Sequence, residues 1–182
     1  MELFINETPF SKKELGIVSN YNLKKMTLPL MIIFIVLFGI IGGCFALLGD
    51  ISWGFYIWGI GFVFILIYPL FFKRAMKKNV ERANLPSPKL QNVSRFYEDY
   101  VFVESVDNGE IVGTSKVEYK NLLKVTFLDE YILLFVTKGS CYVLGKANMT
   151  KGTAEDLIIF LYNKNIKLEN LKQNAKQKVV KK

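Results

Sequence analysis

Histidine is missing altogether from the 182 residues. Without it there is no imidazole general base, no Ser-His-Asp or Cys-His nucleophile, and no use of the commonest ligand of catalytic zinc. Cysteine is scarce as well. Cys44 lies in a long apolar run and Cys141 in the part expected to be soluble, so a disulfide framework is not what holds the fold. Charged residues make up 22% against 51% hydrophobic, a balance too apolar for an ordinary soluble domain of this length. No Walker or dinucleotide fingerprint occurs, and Gly139 and Gly145 stand as isolated glycines.

The apolar excess is concentrated in two uncharged runs, Thr27 to Leu48 and Ile51 to Phe72. Each is as long as the ~20 residues needed to cross a bilayer's hydrocarbon core. The rest, about 140 residues, is one domain's worth of chain plus tails. The expected class is therefore an α+β membrane protein with a transmembrane helical hairpin over 26–72 (spans 26–48 and 52–72). A cleaved signal peptide does not fit, because the first run is too long, starts late and is followed at once by a second.

The net charge of +8 and pI near 9.4 would suggest nucleic acid in a soluble protein. Here the lysines have a plainer reading. Lys12, Lys13, Lys24 and Lys25 precede the first run, Lys73, Arg74, Lys77, Lys78 and Arg82 follow the second, and the connection around Gly49-Asp50 has neither Lys nor Arg. The positive-inside bias puts both termini in the cytoplasm, at the plasma membrane, with two spans. Neither run contains an ionisable residue of the kind that marks proton relays and ion paths, which removes the main support for a pump or channel. Trp53, Tyr56 and Tyr68 sit where aromatic rings settle at the headgroup level. Gly39 and Gly43 form a small-xxx-small spacing, with Gly42 beside them and Gly54, Gly59 and Gly61 on the second span, so close helix packing within the hairpin or between copies is expected, although glycine is common in membrane helices.

Outside the spans the period changes. Residues 1–22 read as a strand, Met1 to Thr8, in which Leu3 and Ile5 alternate with polar neighbours, and a short helix opened by the Ser11/Glu14 capping-box spacing and ending near Asn20. A lone strand ahead of an anchor is not stable by itself and is expected to join the sheet beyond Pro88. Residues 73–88 form a basic helical extension and a proline linker. The domain at 89–168 reads as strands Val93 to Val106, Ile111 to Tyr119, Leu122 to Leu128, Tyr131 to Val136 and Cys141 to Lys146. Asn108-Gly109 marks the first hairpin, and a helix capped at Thr153 runs to about Lys164. Short connections make the strands antiparallel neighbours. A basic tail occupies 169–182.

That order resembles the YcxB-like family of small bacterial membrane proteins. The resemblance is carried by the prelude Glu2 to Tyr21, the hairpin, and a block running from Phe96-Tyr97-Glu98-Asp99-Tyr100 through Tyr119 to Val125, Tyr131 to Phe135 and Tyr142 to Lys146, to the helix Gly152 to Leu161. Gly145 departs from the proline that often precedes the last lysine in that family. The resemblance implies a cytoplasmic domain similar to the pleckstrin-homology barrel, closed by a C-terminal helix, and no established enzymatic activity or cofactor.

Three chemical candidates have plain structural readings. Glu98-Asp99 and Asp129-Glu130 fall where turns are expected and have no further acidic residues at metal-ligand spacing, so neither a catalytic nor a metal site is assigned. Cys141, in a strand, reads as a structural thiol. In the pleckstrin-homology relatives, basic residues around the first strand hairpin grip phosphoinositides, but here that turn is Asp107-Asn108-Gly109-Glu110 and would repel a phosphate. The electrostatic candidate is the tail, whose Lys172, Lys176, Lys178, Lys181 and Lys182 gain roughly 1 kcal/mol each near an anionic leaflet. A solvated tail accounts for the same composition. The expected partners are the bilayer, anionic headgroups, an unidentified protein and a second copy, not nucleic acid. The expected function is a non-enzymatic interaction or regulatory module at the inner face of the plasma membrane. The alternative is a small bacteriocin-immunity or envelope-defence factor acting through the hairpin.

Overall fold

The computed structural model describes residues 1–83, 85 and 87–170. These form two units, a sheet unit (1–14 with the chain from 85 onward) and a helical unit (15–84).

The helical unit consists of most of α1 (Lys12–Leu47) and α2 (Ile51–Arg82), each long and apolar enough to cross a membrane. At 1.5 Å per residue they run about 54 and 48 Å. Almost no residue in their apolar windows is buried, so neither is the core helix of a soluble domain. Instead of a short helix ending near Asn20 and a separate span, α1 is a single helix of 36 residues. Residues 21–25 contain no glycine or proline to stop it. Pro29 lies within the helix, and two residues earlier the Thr27 hydroxyl donates to the Leu23 carbonyl at 2.7 Å.

Between the helices, Gly49 takes φ +91° and the Asp50 carboxylate caps α2 by accepting from the Trp53 amide. The helices then pack in an antiparallel ladder. Phe34 meets Phe64 edge-on at 5.0 Å between centroids, and Phe38 lies over Gly61. Gly42 lies under the Trp58 indole, and Gly54 approaches Ala46 and the Gly42 carbonyl. A Cβ at Gly42 or Gly61 would collide with the ring above it. Gly39 and Gly43, by contrast, have open space around them. The glycines that pack inside the hairpin are Gly42, Gly54 and Gly61, the first of them one position from the Gly39/Gly43 spacing.

In the sheet unit, β1 (Phe4–Pro9) pairs antiparallel with β2 (Gln91–Phe96) over six residues, Phe4 opposite Phe96 and Pro9 opposite Gln91. The N-terminal strand thus lies within the sheet that follows the helices, with both apolar helices enclosed in the β1–β2 connection. Next come β3 (Tyr100–Asp107) and β4 (Glu110–Glu118), and β8 (Met149–Lys151) covers the other edge of β1, giving the order β4-β3-β2-β1-β8. The run Val93 to Val106 is two strands rather than one, broken at Glu98-Asp99, where the Tyr97 amide donates to the Tyr100 carbonyl. The β3–β4 turn has positive φ at Asn108 (51°) and Gly109 (88°), the backbone required by a two-residue hairpin.

The second sheet has the order β7-β6-β5-β9, from β5 (Lys124–Phe127), β6 (Tyr131–Phe135), β7 (Cys141–Gly145) and β9 (Leu168–Glu169). It is mixed rather than purely antiparallel, because α3 (Ala154–Asn163) carries the chain back across and β9 enters parallel to β5. The two sheets face each other over Phe96, Val101, Val103, Ile132, Leu134 and Leu144, with Leu157 and Leu161 of α3 closing the core. Thr153 caps α3, its hydroxyl accepting from the Asp156 amide at 3.1 Å. No strand ladder joins the sheets among the described residues, so the barrel is not closed by backbone pairing.

Candidate functional site

What joins the sheets instead is a buried polar clasp on β1. Asn6 and Thr8 share the inward face with Phe4, and both are essentially inaccessible, at 0% and 2% exposure. The more apolar alternate face, with Leu3 and Ile5, is only half-buried. The Thr8 hydroxyl donates to the Asn6 carbonyl oxygen at 2.6 Å and accepts from the Gly145 amide at 2.7 Å. The Asn6 amide group donates to the Gly145 carbonyl at 2.7 Å. Both backbone groups of Gly145 on β7 are therefore held by side chains of β1. Periodicity cannot reveal this, because Asn and Thr at alternate positions read as the solvent face.

Next to the clasp the chain leaves the sheet for α1. Only Phe10 and Ser11 intervene, and the Phe10 amide donates to the Leu90 carbonyl at 2.8 Å. The Ser11 amide and hydroxyl both donate to Glu14 Oε2, at 3.0 and 2.5 Å, and the Lys13 amide donates to the Ser11 hydroxyl, completing the capping box. Glu14 is buried, and its Oε1 accepts from the Tyr131 hydroxyl at 3.4 Å. The Lys13 ammonium lies 5.7 Å from the centre of the same ring, and the Tyr131 hydroxyl holds it above the ordinary lysine value. Tyr131 opens β6 opposite Gly145. The clasp and the first turn of α1 thus meet at one pair of residues.

The remaining candidates are scattered and structurally employed. Glu98 pairs with Lys164 at 2.8 Å, and the Asp99 carbonyl accepts from the Tyr119 amide. Lys146 Nζ donates to the Leu128 and Asp129 carbonyls, and the Glu130 carbonyl accepts from the Lys146 amide. Both acidic pairs are turn furniture around a lysine or a tyrosine. Burial pushes the Cys141 thiol up to about 11, with Lys124 pulling weakly the other way. Lys124 is itself buried, paired with Glu169 at 2.5 Å and lying 4.7 Å from the Phe135 ring centre. Among the described residues no group of three or more acidic or Cys side chains gathers as a metal site. Along α2 an apolar groove runs over Gly59 between Phe55 and Val63. Lys172, Lys176, Lys178, Lys181 and Lys182 lie outside the described residues. The chain matches no family model, no curated protein and no solved structure.

Proposed function

We propose that this protein is a two-span integral membrane protein of the bacterial plasma membrane, YcxB-like in family, whose sheet unit is a non-enzymatic, pleckstrin-homology-like interaction or regulatory domain on the cytoplasmic face. One observation carries the reading: β1 and β2 are hydrogen-bonded neighbours, and the chain between them is two exposed apolar helices. Paired strands lie on one side of any membrane, so the number of crossings between them is even. Two helices too apolar for water and enclosed by one sheet satisfy that count without threading. The side follows from the lysines at both flanks and their absence beside Gly49-Asp50. The meander β1–β4, a second meander β5–β7 and a closing helix support the pleckstrin-homology-like assignment. In this reading the tail lysines rest against anionic headgroups, by charge rather than by shape.

The test is a cysteine scan on a chain with Cys44 and Cys141 replaced. A cysteine at Ser52 should react with an impermeant reagent added to intact cells, and one at Lys138 should react only after permeabilisation. The opposite pattern overturns the orientation, and labelling of both from outside overturns the span count. Expressing the hairpin without the sheet unit separates the module reading from its rival, since an immunity factor acting in the bilayer would keep its phenotype.

A further inference from the structure

Among the described residues every strand ladder is antiparallel except one. The strand β9 (Leu168–Glu169) lies parallel on the outer edge of β5, with Leu168 opposite Val125 and Glu169 opposite Thr126, and the Val125 amide donates to the Lys167 carbonyl at 2.8 Å. Two residues make the whole strand. Asn165 and Asn170 take left-handed backbone on either side of it, φ 56° and 60°, so the segment turns in to the edge and out again between those two positions. The sheet does not depend on this neighbour, because β6 pairs with all four residues of β5 from the other side.

The contact has a chemical requirement that a plain edge lacks. Lys124, the first residue of β5, is buried, with its ammonium 4.7 Å from the Phe135 ring centre and 2.5 Å from Glu169 Oε2. Taking the carboxylate away from a buried cation is costly, so the edge accepts a strand only together with an anion. Ile166 is buried in the core and anchors the chain up to that residue, whereas Leu168 and Glu169 are only half-buried. Backbone hydrogen bonding along an edge, with one side chain read beside it, is how extended peptides are recognised by strand addition. We propose that the β5 edge is a binding site for an extended segment of a partner protein that carries an apolar residue followed by a carboxylate, and that β9 is its built-in occupant, released when the partner segment takes its place. This rests on the reading of the sheet unit as an interaction domain and adds the chemistry of the partner. The short resident strand keeps the edge covered against unselective pairing until an acidic strand competes for Lys124.

The test follows the Val125 amide by hydrogen exchange in the full chain in detergent. Glu169→Ala should release β9 and speed exchange at Val125 by about tenfold or more, with the β3 amides unchanged. A synthetic peptide with the sequence of residues 165–170 should then slow Val125 again, and the same peptide with glutamine in place of its glutamate should not. Unchanged exchange in the variant, loss of protection in β3 as well, or equal action of the two peptides overturns the proposal. The assay does not depend on orientation in a membrane, which the cysteine scan and the hairpin expression read separately, so failure of one is not failure of the other.

Discussion

Replacing Thr8 by valine removes one hydroxyl and almost no volume, so its effect isolates the clasp. The hydroxyl has two partners, the Asn6 carbonyl oxygen that it donates to and the Gly145 amide that donates to it. Both belong to a site that water does not reach, since Asn6 is 0% and Thr8 2% exposed. A buried polar group left without its partner costs about 1–3 kcal/mol. Two such groups, relaxing partly together, give about 2–4 kcal/mol. That is a large share of the ~5–15 kcal/mol that holds a domain, or roughly a thirtyfold to thousandfold rise in the unfolded population. Intrinsic tryptophan fluorescence would miss it, because both tryptophans, Trp53 and Trp58, lie in α2. Pulse proteolysis of the full chain in detergent across a urea series reads the sheet domain directly, and the midpoint should fall by about 1–2 M. Thr150→Val is the control, because Thr150 is exposed and its hydroxyl's hydrogen bond to the Ile5 carbonyl is long at 3.5 Å. A midpoint for Thr8→Val no lower than that of the control would refute the clasp as the join between the sheets.

Gly42→Leu should break the helix ladder, since its side chain enters the space of the Trp58 indole, whereas Gly39→Leu leaves the hairpin intact; thermal aggregation in detergent should separate the two, and equal loss would contradict the observed packing. At pH 8 the Cys141 thiol, raised to about 11 by burial, should react with maleimide roughly a hundredfold more slowly than a free cysteine. The rate should recover in denaturant and rise with pH well beyond 9, and fast reaction of the folded chain near neutrality would refute the assigned burial.

Much of the architecture is readable from residue order, and the reasons are local. Asn108-Gly109 demands positive φ at two consecutive residues, and the backbone supplies it. Thr153 and Ser11 announce helix starts through a partner three residues on, and both hydrogen-bond as that spacing implies. The two apolar helices need no more than length and composition. Features that depend on distant partners are less legible. The strand β9 has two residues and pairs parallel with β5 only because α3 returns the chain there. The strand β8 has three and rests on β1, nearly 150 positions away. At β1 the apolar alternation of Leu3 and Ile5 points to the wrong face, because the pocket beside Gly145 accepts a polar pair and rewards Asn6 and Thr8 with hydrogen bonds that no sequence window contains. Gly39 and Gly43 carry the better spacing, but the rotation of α1 that brings Phe34 and Phe38 against α2 selects Gly42.

The position of β1 also fixes the order in which such a chain can assemble. Its partners, β2 and β8, are made after both apolar helices, so the strand must wait with its backbone groups unpaired until the hairpin has been placed. An unpaired strand is an aggregation template, and β1 moderates this hazard in its own sequence: Glu7 on the outer face, Asn6 and Thr8 on the inner, and Pro9 at the end make it a poor zipper segment. The same Asn6 and Thr8 that keep the strand soluble while it waits become the clasp once Gly145 arrives. A more apolar strand would bury better in the finished sheet and be more dangerous before it. The choice of Asn and Thr is intelligible only when the membrane helices are counted as part of the loop between β1 and β2.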